Sequence, residues 1–161
     1  MRFIFTNKLI EEQDLYDKFN NLVLQLCENN LNEIVVNSPL LEMYIKETYP
    51  KYSIISSTTK CITDPKQIIK ELEAPAYKYI CLDYNFNKNY KFLEKIPDKL
   101  KHKVELLVNP ICGAACKYRS IHYTLNSAYA LNYGKPYTLA NCVMNREGNI
   151  YPFKNNNVII T

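Results

Sequence analysis

Short β-branched runs alternate along this chain with amphipathic segments opened by a cap and a proline, and that alternation constrains the fold more than any other feature. Glu33-Ile-Val-Val-Asn37 reads as a strand, and Ser38 then caps a helix with Pro39 in its first turn, ending before Pro50. The unit recurs. Tyr52 to Ser56 is strand-like, and Asp64-Pro65 opens a helix through Lys66-Gln-Ile-Ile-Lys-Glu-Leu. Tyr77 to Asp83 is the next strand, followed by a helix from Asn87 to Ile96 that Pro97 stops. Val104 to Asn109 is a further strand, and a helix is predicted from Lys117 to about Asn132. Arg2 to Thr6 supplies a first strand and Asn157 to Thr161 a last one. Between Glu11 and Asn29, Leu15, Phe19, Leu22, Val23 and Leu26 fall at three- and four-residue spacing, which predicts one long helix with those residues facing the core.

Strand and helix in strict alternation call for a parallel sheet with right-handed crossovers. The fold class is therefore α/β, built from parallel (β/α) repeats. A complete (β/α)8 barrel takes about 250 residues, and this chain has 161, so a partial or truncated TIM-like barrel is the first expectation. An open flavodoxin-like doubly wound sheet is the alternative, and strand order separates the two. Residues 1–161 read as one α/β domain, with a cysteine-containing insertion at about 110–156 before the last strand.

Hydrophobic residues make up 47% of the chain and charged ones 22%, the balance of a globular protein with a real core. The net charge of +4 is spread over single basic residues with no dense tract, so it is compatible with RNA without pointing to it. No apolar run reaches the length of a membrane span, and the N-terminal segment turns polar too soon for a signal peptide. A cytoplasmic protein with no membrane partner is expected, its six cysteines reduced rather than paired in a disulfide framework. Cys27 and Cys81 read as small buried hydrophobes, whereas Cys61 falls in a loop.

In a parallel α/β fold the working residues follow the C-terminal ends of the strands. Here those ends carry Asn37-Ser38, Ser56-Ser57-Thr58, Asp83-Tyr84-Asn85 and Asn109, which either ring a site or act as helix caps and turn formers. After the Val104 strand come Cys112 and Cys116, three residues apart around Gly113, and Cys142 follows twenty-five residues later. Thiolates are soft ligands for zinc or an iron–sulfur cluster, so Cys112, Cys116 and Cys142 are the candidate metal and cofactor ligands, with His122 or Cys61 to complete a set. A pair of free thiols or a redox couple is the competing reading. If Lys117 onward is helical, Cys116, Arg119, His122 and Tyr123 share one face. Arg119 and His122 are then the candidate catalytic residues, one to clamp an anion and the other to move a proton. The plainer alternative pairs Arg119 with a carboxylate such as Glu105 and packs His122 against Tyr123.

Only three glycines occur, and no dinucleotide fingerprint, P-loop, G-x-S-x-G elbow or HExxH is present. Arg119 stands where a radical-SAM pattern needs its third cysteine.

The run Glu105-Leu-Leu-Val-Asn-x-x-Cys112-x3-Cys116-x-Tyr-Arg119-x-x-His122 resembles the U32 peptidase-like (collagenase-like protease) family. The upstream order Ile34-Val-Val-Asn-Ser-Pro, Tyr49-Pro50, Ile54-Ile-Ser-Ser-Thr and Leu82-Asp-Tyr-Asn agrees with it. The resemblance implies a TIM-barrel scaffold and an iron–sulfur cluster on cysteines at the barrel mouth. It further implies RNA or small-molecule modification, since relatives act in tRNA or quinone hydroxylation, or else a peptidase, for which Cys116 with His122 is the nucleophile–base pair on offer. Relatives commonly have four such cysteines and a longer chain. A chain that keeps this fold with strands missing also leaves open sheet edges, and these predict a partner-binding or assembly module that joins a partner chain or a second copy.

Overall fold

The computed structural model describes residues 1–108, 112 and 115–133. Five strands, β1 (Arg2–Phe5), β2 (Glu33–Val36), β3 (Ser53–Ser56), β4 (Tyr77–Cys81) and β5 (Val104–Glu105), form one parallel sheet in the order β1-β2-β3-β4-β5. That order decides between the two architectures. A flavodoxin-like sheet places β1 between β2 and β3, whereas here β1 pairs with β2, Phe3 against Ile34, and β2 pairs with β3, Ile34 against Ile54. The doubly wound alternative is thus corrected. The described residues form an open parallel sheet of sequential (β/α) repeats. The expected last strand, Asn157 to Thr161, and most of the insertion lie outside the described residues.

Every crossover returns on the same side, so the helices α1 (Lys18–Leu26), α2 (Pro39–Thr48), α3 (Pro65–Glu73), α4 (Tyr90–Lys95) and α5 (Asp98–Lys101) cover one face of the sheet. Ile34, Val36 and Ile54 meet Leu24, Leu41 and Ile45 there, and Ile80 meets Ile68, Leu72, Ile96 and Leu100. Ser38 accepts from the Leu41 amide and Asp64 from the Lys66 and Gln67 amides, so both cap–proline signals start helices where they were read.

The opposite face carries Arg2, Glu33 and Glu105, and its geometry shows how strongly the sheet curls. Flat, β1 and β5 would stand about 19 Å apart, yet Arg2 donates to Glu105 at 2.8 and 3.1 Å, and to Glu33 at 2.8 and 3.0 Å. A bulge at Lys78, between the Ile54–Tyr77 and Ile55–Tyr79 pairings, turns that lysine onto Glu33 at 2.7 Å. Burial disfavours the Glu33 carboxylate, but the bonds from Lys78 and Arg2 outweigh it and hold its pKa below the usual range. The outer strands therefore face each other across a concave interior, as they do across half a turn of a barrel.

Two expectations change. The single helix from Glu11 to Asn29 is broken at Asp17, where a 3-10 turn (Glu12–Tyr16) ends and the Asp17 carboxylate caps α1 by accepting from the Asn20 amide. Leu15 and Leu24 face the core, while Phe19, Leu22 and Leu26 are exposed. Hydroxyls from the next repeat set that rotation: Tyr44 and Tyr49 donate to Asn21, and Tyr52 donates to the Leu24 carbonyl. The Val104 strand is also shorter than its apolar run, because only Val104 and Glu105 find partners, Ile80 and Cys81. Leu107 and Val108 beyond them are exposed.

No helix among the described residues is long and apolar enough to cross a membrane. The rotation of α1 is directly testable by urea unfolding in dilute solution. Ile45→Ala and Leu72→Ala, at fully buried positions, should each cost about 2–5 kcal/mol. Phe19→Ala should stay within about 0.5 kcal/mol, and a core-sized loss there would contradict the observed face.

Candidate functional site

The concave sheet ends in a mouth formed by the residues after β2, β3 and β4, and most of its polar side chains are consumed in building it. Asn37 donates to the Thr59 hydroxyl at 2.6 Å, and Ser57 caps the next 3-10 turn (Thr58–Lys60) by accepting from the Thr59 amide. Thr58 donates to the Leu82 carbonyl at 2.8 Å, joining the ends of β3 and β4. Ser57 fits the cap-and-turn reading, whereas Asn37 and Thr58 bond across neighbouring strand ends. Asn109 lies outside the described residues.

Asp83 does more. It caps the 3-10 turn at Tyr84–Phe86 and accepts from Arg119 Nη1 at 2.6 and 2.8 Å, both side chains being buried. Arg119 is the first residue of α6 (Arg119–Ala130) and reaches several partners from there. Besides Asp83, its Nε donates to Cys112 Sγ at 3.3 Å, its Nη2 to Asn85 at 3.4 Å, and its guanidinium lies 4.8 Å over the Tyr84 ring. Burial works against the guanidinium charge, but the bonds to Asp83 and Cys112 outweigh it, so the charge is permanent. The carboxylate partner is Asp83 rather than Glu105, which is taken by Arg2. An arginine so enclosed serves to hold the mouth together.

Cys112 and Cys116 meet at this arginine. Burial pushes the Cys112 thiol up, the Arg119 N–H pulls it down, and the neighbouring Cys116 raises it. Between them Ala115 adopts a left-handed φ of 49° and its amide donates to Asn85 at 3.1 Å, so Ala115 is tied to the 3-10 turn that follows β4. Cys116 precedes the helix instead of lying on its face, and its carbonyl accepts from the Arg119 amide. His122 is half-buried on α6 with its ring stacked against Tyr123, centroids 6.5 Å apart. Tyr123 in turn donates to the Tyr84 hydroxyl at 3.1 Å. Cys61 is half-buried and left-handed, its thiol raised by burial and by nearby Asp83. Cys81 is buried, with burial pushing its thiol up to about 11. Cys142 lies outside the described residues.

Helix α6 is fastened at both ends by residues that carry no sequence signal. The Lys8 amide donates to Ser127 Oγ at 2.9 Å, Asn7 Nδ2 to the Ser127 carbonyl at 3.2 Å, and Lys8 Nζ to Ser120 Oγ at 3.3 Å. These contacts span more than a hundred residues of chain, so α6 bridges the mouth from β4 to β1.

Among the described residues no three His, Cys, Asp or Glu side chains form a metal-binding group. Cys112 and Cys116 supply two sulfurs of the soft type, with an N–H donor on one of them, and that pair fits part of a thiolate ligand set. Comparisons with protein-family models, with curated proteins and with solved structures return no match.

Removing one member of the Asp83–Arg119 pair leaves a buried charge unpaired. Asp83→Ala should therefore cost roughly 3–5 kcal/mol in denaturant unfolding, and Asp83→Ala with Arg119→Met should lose less than the two single variants summed. Additive losses would show that the pair does not act as a unit.

Proposed function

We propose that the mouth seats a thiolate-ligated centre, an iron–sulfur cluster or a zinc ion, held by Cys112 and Cys116 with Cys142 as the third ligand. The observation that carries this reading is the placing of Cys112 beside Arg119 at the mouth, Nε 3.3 Å from Sγ, with Cys116 just before the helix that Arg119 starts. When bound, such a centre supplies electron transfer if it is a cluster and Lewis acidity if it is zinc. Arg119 then acts as a positioning residue: Asp83 and Asn85 fix its plane, and its N–H supports negative charge on the Cys112 sulfur. His122, in the following turn of α6, is the group for proton delivery or for completing the ligand set. The U32-like resemblance belongs to this reading, as do RNA or small-molecule modification and a reducing, cytoplasmic setting that keeps the thiols available.

Anaerobic purification with iron, sulfide and zinc analysis tests it. Stoichiometric metal is expected, falling sharply in Cys112→Ala, Cys116→Ala and Cys142→Ala. Colourless, metal-free protein with all three thiols readily alkylated would overturn the centre.

A second reading, attachment of a partner chain at an open sheet edge, is favoured by β1 and β5, each of which is paired on one side only among the described residues. It predicts that β1 amides gain hydrogen-exchange protection when the partner is present, and unchanged protection counts against it.

A further inference from the structure

A cavity of about 480 Å³ opens beside the first repeat, between the 3-10 turn at Glu12–Tyr16, α1, α2 and the last residues of α6. Small-molecule sites occupy roughly 300–1,000 Å³. Its floor is apolar: Phe5, Leu15, Leu24, Leu41 and Tyr44 line it, and the three leucines are buried. The polar groups around it are one-sided. Asn21 is spent, giving its amide N–H groups to the Leu15 and Asp17 carbonyls and taking the Tyr44 and Tyr49 hydroxyls on its oxygen. Asn7 is spent likewise, on the Ser127 carbonyl and the Leu9 amide. What is left is mostly acceptor. Asp14 uses one oxygen on the Glu11 amide and Asp17 one on the Asn20 amide, so each carboxylate keeps a second oxygen. Gln13, whose amide nitrogen is held by Glu11, keeps its carbonyl.

Among the described residues no lysine, arginine or histidine lines the cavity, and neither aspartate has an ion-pair partner. Ala130 and Leu131 close the wall with the C-terminal end of α6, and that end of a helix carries partial negative charge. We infer that this cavity is a binding site for an amphipathic organic cation, an amine on an apolar body. Its ammonium group donates to Asp14 and Asp17 while the body covers the leucines and Tyr44. An ammonium brings three N–H donors to a wall that is short of them, and its charge is favoured by both carboxylates and by the helix end. An anion of the same shape meets only like charge, and a neutral one leaves both carboxylates without a counter-charge. Cys112 and Arg119 take no part, so this site stands or falls separately from the thiolate centre.

Amide chemical-shift titrations of the full chain in reductant, with phenethylamine, phenethyl alcohol and phenylpropionate, separate charge from apolar fit. Phenethylamine is expected to bind with a Kd of about 1 mM or tighter, shifting the amides of Leu15, Tyr44 and Ala130. The alcohol should bind about tenfold more weakly, and the acid should not bind at about 10 mM. Asp14→Asn combined with Asp17→Asn should weaken the amine about tenfold and leave the alcohol unchanged. Asparagine caps a helix as well as aspartate does and still accepts the Glu11 amide, so the fold is kept. Should that variant nonetheless lose its circular dichroism spectrum, salt on the wild type decides: about 0.5 M sodium chloride must weaken the amine severalfold and spare the alcohol. No amine binding at about 10 mM, equal binding of amine and alcohol, or shifts confined to other surfaces overturns the inference. An amine that binds the folded double variant as well as the wild type overturns it too.

Discussion

One-sided winding is the constraint on which the rest of this structure depends. Each strand pairs with the strand of the next repeat, so all crossovers return on one face and α1 to α5 cover that face alone. On the other face, which carries none of these five helices, the outer strands come close enough for Arg2 to bond Glu105. Charged side chains survive on that inner face because they are paired: Arg2 and Lys78 both serve Glu33, and Arg2 also serves Glu105. The same winding gathers the strand C-termini into one mouth and, among the described residues, leaves β1 paired on one side only.

The mouth is organised around a single buried ion pair. Asp83 is placed by β4 and by its role as a cap, and Arg119 by the start of α6. Joining them brings Cys112 and Asn85 to the same guanidinium and sets α6 across the strand ends, where Lys8 and Asn7 receive its other end. Desolvation of both charges is expensive, and the added bonds to sulfur and amide oxygen are what make the arrangement tolerable.

What was legible in the sequence is what is decided locally. The Ser38-Pro39 and Asp64-Pro65 starts depend on bonds within three residues, and both are found where the sequence places them. The cysteine–arginine segment announces a site because its residue types are chemically loaded, whatever their partners. Distant partners were not legible. Arg119 takes Asp83, 36 residues upstream, over Glu105, and no spacing rule connects Lys8 with Ser127. Periodicity located the apolar stripe of α1 and assigned it to the core, because three tyrosine hydroxyls from the following repeat, which fix the rotation of the helix, are invisible to a periodicity count.

Strand order carries the account, and interstrand nuclear Overhauser effects measure it directly on isotope-labelled protein. Sequential winding predicts backbone contacts between Phe3 and Ile34, between Ile34 and Ile54, and between Ile80 and Val104, with none between β1 and β3. Contacts from Phe3 to Ile54, placing β1 between β2 and β3, would contradict the one-sided sheet and with it the mouth, the concave interior and the exposed flank of α1.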